Sequence, residues 1–120
     1  STDGNNIYKK GTNKVSQSLI YVTTKNRKEA MTIAHEVIKT HLAACANILG
    51  ETTSVYCWED RIFEEKEILL ILKTREDLVN SLIDKVKNLH CYDCPCIISL
   101  PIAGGNKDFL NWIDKETSIK

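Results

Sequence analysis

Residues 42–73 read LAACANILGETTSVYCWEDRIFEEKEILLILK, and this stretch decides the fold. Its first part, Leu42–Leu49, is almost continuously apolar, which favours a buried strand. The chain stays extended over 52–58, with Tyr56 and Trp58 on one face because side chains alternate along a strand. A polar turn at 59–61 leads into a second long strand over 62–73. Two long strands joined by a short polar turn predict a β-hairpin.

The segment before the hairpin predicts one strand and one helix. Ser18–Thr24 is rich in β-branched and aromatic residues, as is typical of a strand. Apolar residues then recur at the spacing of a single helical face. Asn26 is the predicted N-cap of this helix, and Glu29 can bond back to the backbone amide of Asn26. The predicted helical face consists of Ala30, Ile33, Ala34, Val37, Ile38 and His41.

A second helix, a fourth strand and a last helix are predicted after the hairpin. Apolar residues at helical spacing indicate a helix that ends near Leu89, with Thr74 as its N-cap. Cys96–Leu100 predicts a strand that stops at Pro101. Asn106 can cap the last helix. We expect three apolar residues of that helix to face inward: Phe109, Trp112 and Ile113.

The predicted order is therefore β-α-β-β-α-β with an extra C-terminal helix, an α+β, ferredoxin-like arrangement. It places both long helices on one face of an antiparallel sheet, so the other face needs a cover. The hairpin strands are near or above the usual upper length of about 10 residues, and such edges favour oligomerisation. We predict one domain over 17–120, preceded by a flexible polar tail over 1–16.

Composition excludes several classes of protein. The 120 residues suffice for one domain, and 16 basic residues balance 16 acidic ones. A nucleic-acid binder usually has a basic excess, so no nucleic-acid partner is predicted, and an RNA-binding sheet is disfavoured. The sequence contains neither an apolar run long enough to cross a bilayer nor a signal peptide, which predicts a cytoplasmic protein without a membrane partner. Five cysteines, an odd number, favour reduced thiols.

Known catalytic motifs are missing from the sequence. It contains no glycine-rich phosphate loop, no nucleophile elbow and no metalloprotease helix. We therefore predict that the chain is not an enzyme.

Six strings, in order, resemble the CutA family of divalent-cation tolerance proteins. The resemblance covers roughly residues 18–116. The strings are Leu42–Ile48, Ser54–Trp58, Glu67 followed by Lys73–Thr74, His90–Pro95, Leu100–Ile102 and Phe109–Ile113. The resemblance implies a homotrimer with a PII-like shape, in which long hairpins exchange contacts around a three-fold axis. It also implies a role in tolerance and binding of copper or another divalent metal ion.

A metal site is the first functional candidate. The resemblance implies copper ligands at positions held here by Val22 and by the pair Leu89–His90, so only His90 is kept. Thiols lie nearby in sequence, and thiolates select Cu(I) or Zn(II). The candidate ligands are His90, Cys91, Cys94, Cys96 and Cys45. Alternatively, the thiols pack as small hydrophobes, and His90 caps a helix.

An inter-subunit cleft is the second candidate. Its predicted aromatic residues are Tyr56, Trp58, Tyr92 and Trp112, which could instead simply pack at subunit interfaces. Glu67 and Lys73 could supply polar groups to the cleft, or form an ordinary cross-strand pair. In this alternative the protein is a PII-like scaffold that binds a small anion or a partner protein.

Overall fold

The computed structural model describes residues 16–118. Its strands are β1 (Gln17–Thr24), β2 (Cys45–Trp58), β3 (Arg61–Arg75) and β4 (Ile97–Pro101). Its helices are α1 (Arg27–Lys39), α2 (Val79–Leu89) and α3 (Lys107–Glu116), with a 3₁₀ turn over Glu76–Leu78. Residues 1–15 of the predicted tail lie outside the described residues.

The sheet has the order β2-β3-β1-β4, and all three neighbouring pairs are antiparallel. Alternate residues of the two central strands point towards α1 and α2, and Ile20, Val22, Leu70 and Leu72 are completely buried there. The predicted α+β, ferredoxin-like fold with an extra C-terminal helix is confirmed. The core lies on one face of the sheet, and the opposite face, here called the open face, is only partly covered.

The hairpin extends 14 residues in β2 and 15 in β3. Trp58 pairs with Arg61, so the turn consists of two residues, Glu59 and Asp60, rather than the predicted three. The register shifts between Leu49 and Thr52. The predicted burial of Leu42–Leu49 is confirmed only in part, because β2 is an edge strand. Ala43 and Ala44 are buried and Ile48 packs against the core, but Leu49 keeps 43% of its surface exposed.

The predicted N-cap of α2 is wrong. Thr74 lies within β3, paired with Ser18 of β1, and its hydroxyl donates a 2.7 Å hydrogen bond to the carbonyl oxygen of Leu42. The strand continues past the expected helix start because β1 offers it backbone partners. A 3₁₀ turn then leads into α2, whose N-cap position, Leu78, makes no side-chain capping bond.

The other two caps are confirmed, with one difference. Asn26 accepts the amide of Glu29 at 2.9 Å, and Asn106 accepts the amide of Asp108 at 3.0 Å. Glu29, however, accepts the amide of Lys25 rather than that of Asn26. The Glu29 carboxylate therefore binds the backbone one residue before the predicted position, directly after the end of β1.

Helix α3 covers one end of the open face, against β3 and β1. Ile113 is completely buried, but Phe109 and Trp112 keep 40% and 39% of their surface exposed, so they do not face inward as predicted. Their rings contact each other instead, with centroids 5.4 Å apart. Among residues 16–118, no helix has the length and apolar character needed to cross a bilayer.

Candidate functional site

The structure divides the predicted site residues among three places. His90 and Cys91 lie beside Glu29, just after α2. A groove on the open face takes in six others: Tyr56, Trp58, Glu67, Tyr92, Cys94 and Cys96. The remaining three lie near α3 or at the start of the hairpin: Cys45, Lys73 and Trp112.

The Glu29–His90–Cys91 cluster has potential metal ligand atoms within 4.8 Å of one another. Within residues 16–118 it is the only group of three or more such side chains. The sequence predicted two of its members but missed Glu29, which lies far away in the chain. β1 pairs with β4, and this pairing brings the start of α1 beside the loop that precedes β4. The predicted ferredoxin-like arrangement was the signal that could have found it, because β1 and β4 are neighbours in such a sheet.

His90 uses both ring nitrogens within the protein. Its side chain is fully buried, and Nε2 lies 2.8 Å from the carbonyl oxygen of Thr23, which can only accept. Nε2 therefore carries the proton, and Nδ1 accepts the amide of Tyr92 at 3.1 Å. Nδ1 also lies 3.7 Å from Oε2 of Glu29. A metal ion can reach Nδ1 only if the Tyr92 amide moves away.

Glu29 and Cys91 shift each other's pKa. Partial burial acts to raise the pKa of Glu29, but hydrogen bonds from the Lys25 amide, the Cys91 thiol and the Cys91 amide outweigh it and lower that pKa. The Cys91 amide lies 2.7 Å from Oε2 of Glu29. The hydrogen bond to this carboxylate, followed by partial desolvation and the nearby negative charge, raises the pKa of the Cys91 thiol. The cluster thus holds a carboxylate beside a protonated, exposed thiol.

The groove has a volume of about 700 Å³ and lies between the hairpin, β1 and the loop over 92–96. Its aromatic side chains are Tyr21, Tyr56, Trp58, Phe63 and Tyr92. Its acidic side chains are Glu65, Glu67 and Asp93, and no lysine, arginine or histidine of the described chain lines it. The alternation of strands β2 and β3 explains the members of this set on the hairpin, because every second residue faces the same side. Tyr21 comes from β1, and Tyr92 and Asp93 come from the loop before β4.

Glu67 is the buried polar group of the groove, with 6% of its surface exposed. Ser54 donates a 2.6 Å hydrogen bond to one carboxylate oxygen, and Tyr92 donates a 2.9 Å bond to the other. Desolvation first, and then this bond and the negative charge of Glu67, raise the pKa of Tyr92. Within residues 16–118, no cationic side chain lies within 4.0 Å of the Glu67 carboxylate.

The predicted thiol set is not gathered at one point. Cys94 and Cys96 line the groove together with Cys57, which the sequence analysis did not select. Cys91 faces Glu29 instead. All three groove cysteines are free and exposed.

Lys73 lies at the opposite end of the open face from Glu67. Its ammonium group is 2.6 Å from Oδ1 of Asn47 and 3.8 Å from the sulfur of Cys45, its cross-strand neighbour. It also lies 5.7 Å from the centre of the Phe109 ring. Lys73 and Glu67 therefore do not form a pair. Lys73 and Trp112 both lie near Phe109 rather than in the groove.

Comparison with known proteins gives a consistent set of matches. Residues 18–116 match the family model described as CutA1 divalent ion tolerance protein. Protein CutA 1, chloroplastic, from Oryza sativa subsp. japonica is 43% identical over 103 residues, which cover 86% of this chain and 58% of that protein. The chain thus spans less than two thirds of the length of that relative.

A bacterial relative and a solved structure match this chain at a similar level of sequence identity. The divalent-cation tolerance protein CutA of Thermus thermophilus is 38% identical over 101 residues, which cover 84% of this chain and 98% of that one. The crystal structure of CutA1 from Oryza sativa superposes with a TM-score of 0.84 at 42% identity, covering 88% of this chain and 97% of that chain.

Proposed function

This chain belongs to the CutA1 divalent ion tolerance family, and we propose on that premise that it binds copper or a similar divalent ion as a homotrimer. The observation that carries the proposal is the Glu29–His90–Cys91 cluster. Imidazole and thiolate are ligands suited to copper and zinc, and the carboxylate adds negative charge. Cys91 is exposed, so an ion can approach from solvent.

Binding at this cluster has two local requirements. The ion must displace the thiol proton of Cys91, since thiolate is the ligand. It must also replace the Tyr92 amide as the partner of His90 Nδ1, which costs one part-buried hydrogen bond. Both requirements lower the affinity, and the first makes uptake stronger at higher pH. The proposal is therefore a modest, pH-dependent site rather than a structural metal centre.

Native mass spectrometry of the reduced protein, with and without Zn(II), Cu(I) or Cu(II), tests the proposal. We expect a trimer that gains one ion per chain and loses this uptake in the double variant Glu29→Gln/Cys91→Ser. Cys57→Ser is the matched control, because it removes an exposed thiol outside the cluster. Equal uptake by the double variant would contradict the metal site, and a monomer would contradict the assembly.

The homotrimer is supported by exposed apolar side chains. Ile98 and Leu100 lie on the open face, and at the far end of the hairpin Ile62 and Val55 keep 78% and 63% of their surface exposed. Such a set on one molecule usually marks an interface. Ile98→Lys should dissociate the assembly, which light scattering would detect, whereas Ser99→Lys, one residue along β4, should not.

A PII-like scaffold with a ligand in the groove is the second candidate, and the groove itself favours it. It differs from the metal proposal in needing no ion at the Glu29–His90–Cys91 cluster. The cytoplasmic location and the lack of enzymatic activity remain predictions from the sequence. The rice relative carries a name that places that protein in the chloroplast.

A further inference from the structure

The groove on the open face combines a buried carboxylate with aromatic walls and has no basic lining residue in the described chain. From this combination we propose that the groove binds a small organic cation of the alkylammonium class. This inference goes beyond the proposed binding of a divalent ion, because it concerns another site and another kind of ligand. It rests on charge, on aromatic geometry and on the absence of a converging metal-ligand set.

The charges of the lining side chains determine whether the groove favours a cation or an anion. Glu65, Glu67 and Asp93 line the groove, so a small anion, the ligand predicted from the sequence, would be repelled. Glu67 is more than nine-tenths buried, and its two hydrogen-bond donors, Ser54 and Tyr92, are uncharged hydroxyls. A buried carboxylate is costly unless a cation neutralises it. The groove therefore favours a positive ligand.

The aromatic residues decide the chemistry of that ligand. The rings of Tyr56 and Phe63 are stacked with their centres 5.6 Å apart, and Trp58 lies two residues from Tyr56 on the same strand. Aromatic faces, that of tryptophan most strongly, attract cations within about 6 Å of their centres, and quaternary ammonium ligands are commonly recognised in this way. The protein already shows this attraction at the rim, where the Arg61 guanidinium lies 5.6 Å from the Phe63 centre.

A metal ion fits the groove less well. Both oxygens of Glu67 accept hydroxyl hydrogen bonds, and Oε1 of Glu65 accepts the hydroxyl of Tyr56 at 2.8 Å. Within residues 16–118, no three groove side chains bring ligand atoms within 4.8 Å of one another. A bulky ammonium does not need converging oxygens, and the volume of about 700 Å³ accommodates one with an organic substituent.

Isothermal titration calorimetry on the 120-residue chain tests the proposal with a matched pair of probes. The first is (2-hydroxyethyl)trimethylammonium, and the second is its uncharged isostere, 3,3-dimethylbutan-1-ol. We expect saturable binding of the cation and at least about tenfold weaker binding of the isostere. Equal affinity for both would overturn the proposal, since the groove would then be merely apolar. Tighter binding of acetate or phosphate would also overturn it.

Variants locate the site. Glu67→Gln and Trp58→Leu should each weaken cation binding about tenfold, whereas Glu64→Gln, on the opposite face of the hairpin, should not. Trp58 is exposed, so its variant keeps the test valid if the buried Glu67 variant fails to fold. Unchanged affinity in Trp58→Leu would overturn the proposal. A crystal structure with a lysine or arginine of a neighbouring subunit filling the groove would overturn it as well.

Discussion

Nε2 of His90 donates a 2.8 Å hydrogen bond to the carbonyl oxygen of Thr23, and this bond joins the end of α2 to the end of β1. The other ring nitrogen, Nδ1, accepts a hydrogen bond from the backbone amide of Tyr92. The imidazole thus positions the loop that carries Cys91 and the groove residue Tyr92. The one histidine that the family resemblance keeps as a ligand is also a structural residue.

His90→Ala should lower the free energy of unfolding by about 2–4 kcal/mol, since it leaves two buried backbone groups unpaired and creates a cavity. Urea unfolding at a fixed protein concentration would measure this. The matched control is His35→Ala on the exposed side of α1, which should cost less than about 0.5 kcal/mol. Similar small losses in both variants would contradict the structural role of His90.

The reactivity of Cys91 should depend on Glu29. Because the carboxylate raises the pKa of the thiol, less thiolate is present, and Cys91 should be alkylated several-fold more slowly than the exposed Cys94. Glu29→Gln should remove this difference. Peptide mapping by mass spectrometry after timed iodoacetamide treatment would follow both thiols in one sample. Slow alkylation of Cys91 that persists in Glu29→Gln would show that access, rather than charge, limits the reaction.

Features with local causes could be predicted from the sequence. Asn26 and Asn106 cap their helices through residues two or three positions away. Apolar periodicity identified four buried positions of α1, which are Ala30, Ile33, Ala34 and Val37, although Ile38 is exposed, and it identified only Ile113 in α3. Thr74 has the same local signal as a cap, but pairing with Ser18 keeps it in a strand. The role of Glu29 in the cluster likewise depends on a distant pairing, that of β1 with β4.

The candidate groove could be predicted only in part. Alternation places Tyr56 and Trp58 on one side of the hairpin, and the structure brings Glu67 and Tyr92 to them. Lys73 shares the face of Glu67, but six residues along a strand separate them by about 20 Å. Trp112 depends on how α3 packs, which helical period does not specify. The periodicity of a sequence predicts which face of a strand or helix a residue lies on. It does not predict how far apart two residues on that face lie, and a site depends on both.

Stability should fall at alkaline pH because of Tyr92. Its pKa is raised in the folded protein, so above a pH of about 10 the unfolded chain loses this proton while the folded chain keeps it. The native state then binds more protons, and the free energy of unfolding decreases as pH rises. Tyr92→Phe should flatten this decrease in chemical unfolding measured between pH 9 and pH 11. Tyr21→Phe, another groove tyrosine, should leave the decrease in place; a decrease unaltered by Tyr92→Phe would assign it to other groups.

The turn of the hairpin is strained in a way that a substitution can relieve. Glu59 and Asp60 have φ angles of 52° and 64°, in the left-handed region that disfavours a side chain such as glutamate. A two-residue hairpin loop with both residues in this region prefers Asn-Gly. The double variant Glu59→Asn/Asp60→Gly should therefore raise the free energy of unfolding by about 1 kcal/mol.

Thermal and urea unfolding at equal protein concentration would measure this gain, with Glu59→Gln/Asp60→Asn as a control for charge. The control removes the same two negative charges but supplies no glycine, so we expect it to recover only part of the gain. Both turn residues are exposed, hence neither variant removes buried contacts. A gain limited to the double variant with glycine would show that backbone strain at the turn opposes the register Trp58–Arg61. Equal gains would instead assign the effect to repulsion between the carboxylates of Glu59 and Asp60, and the gain would then shrink as salt screens the two charges.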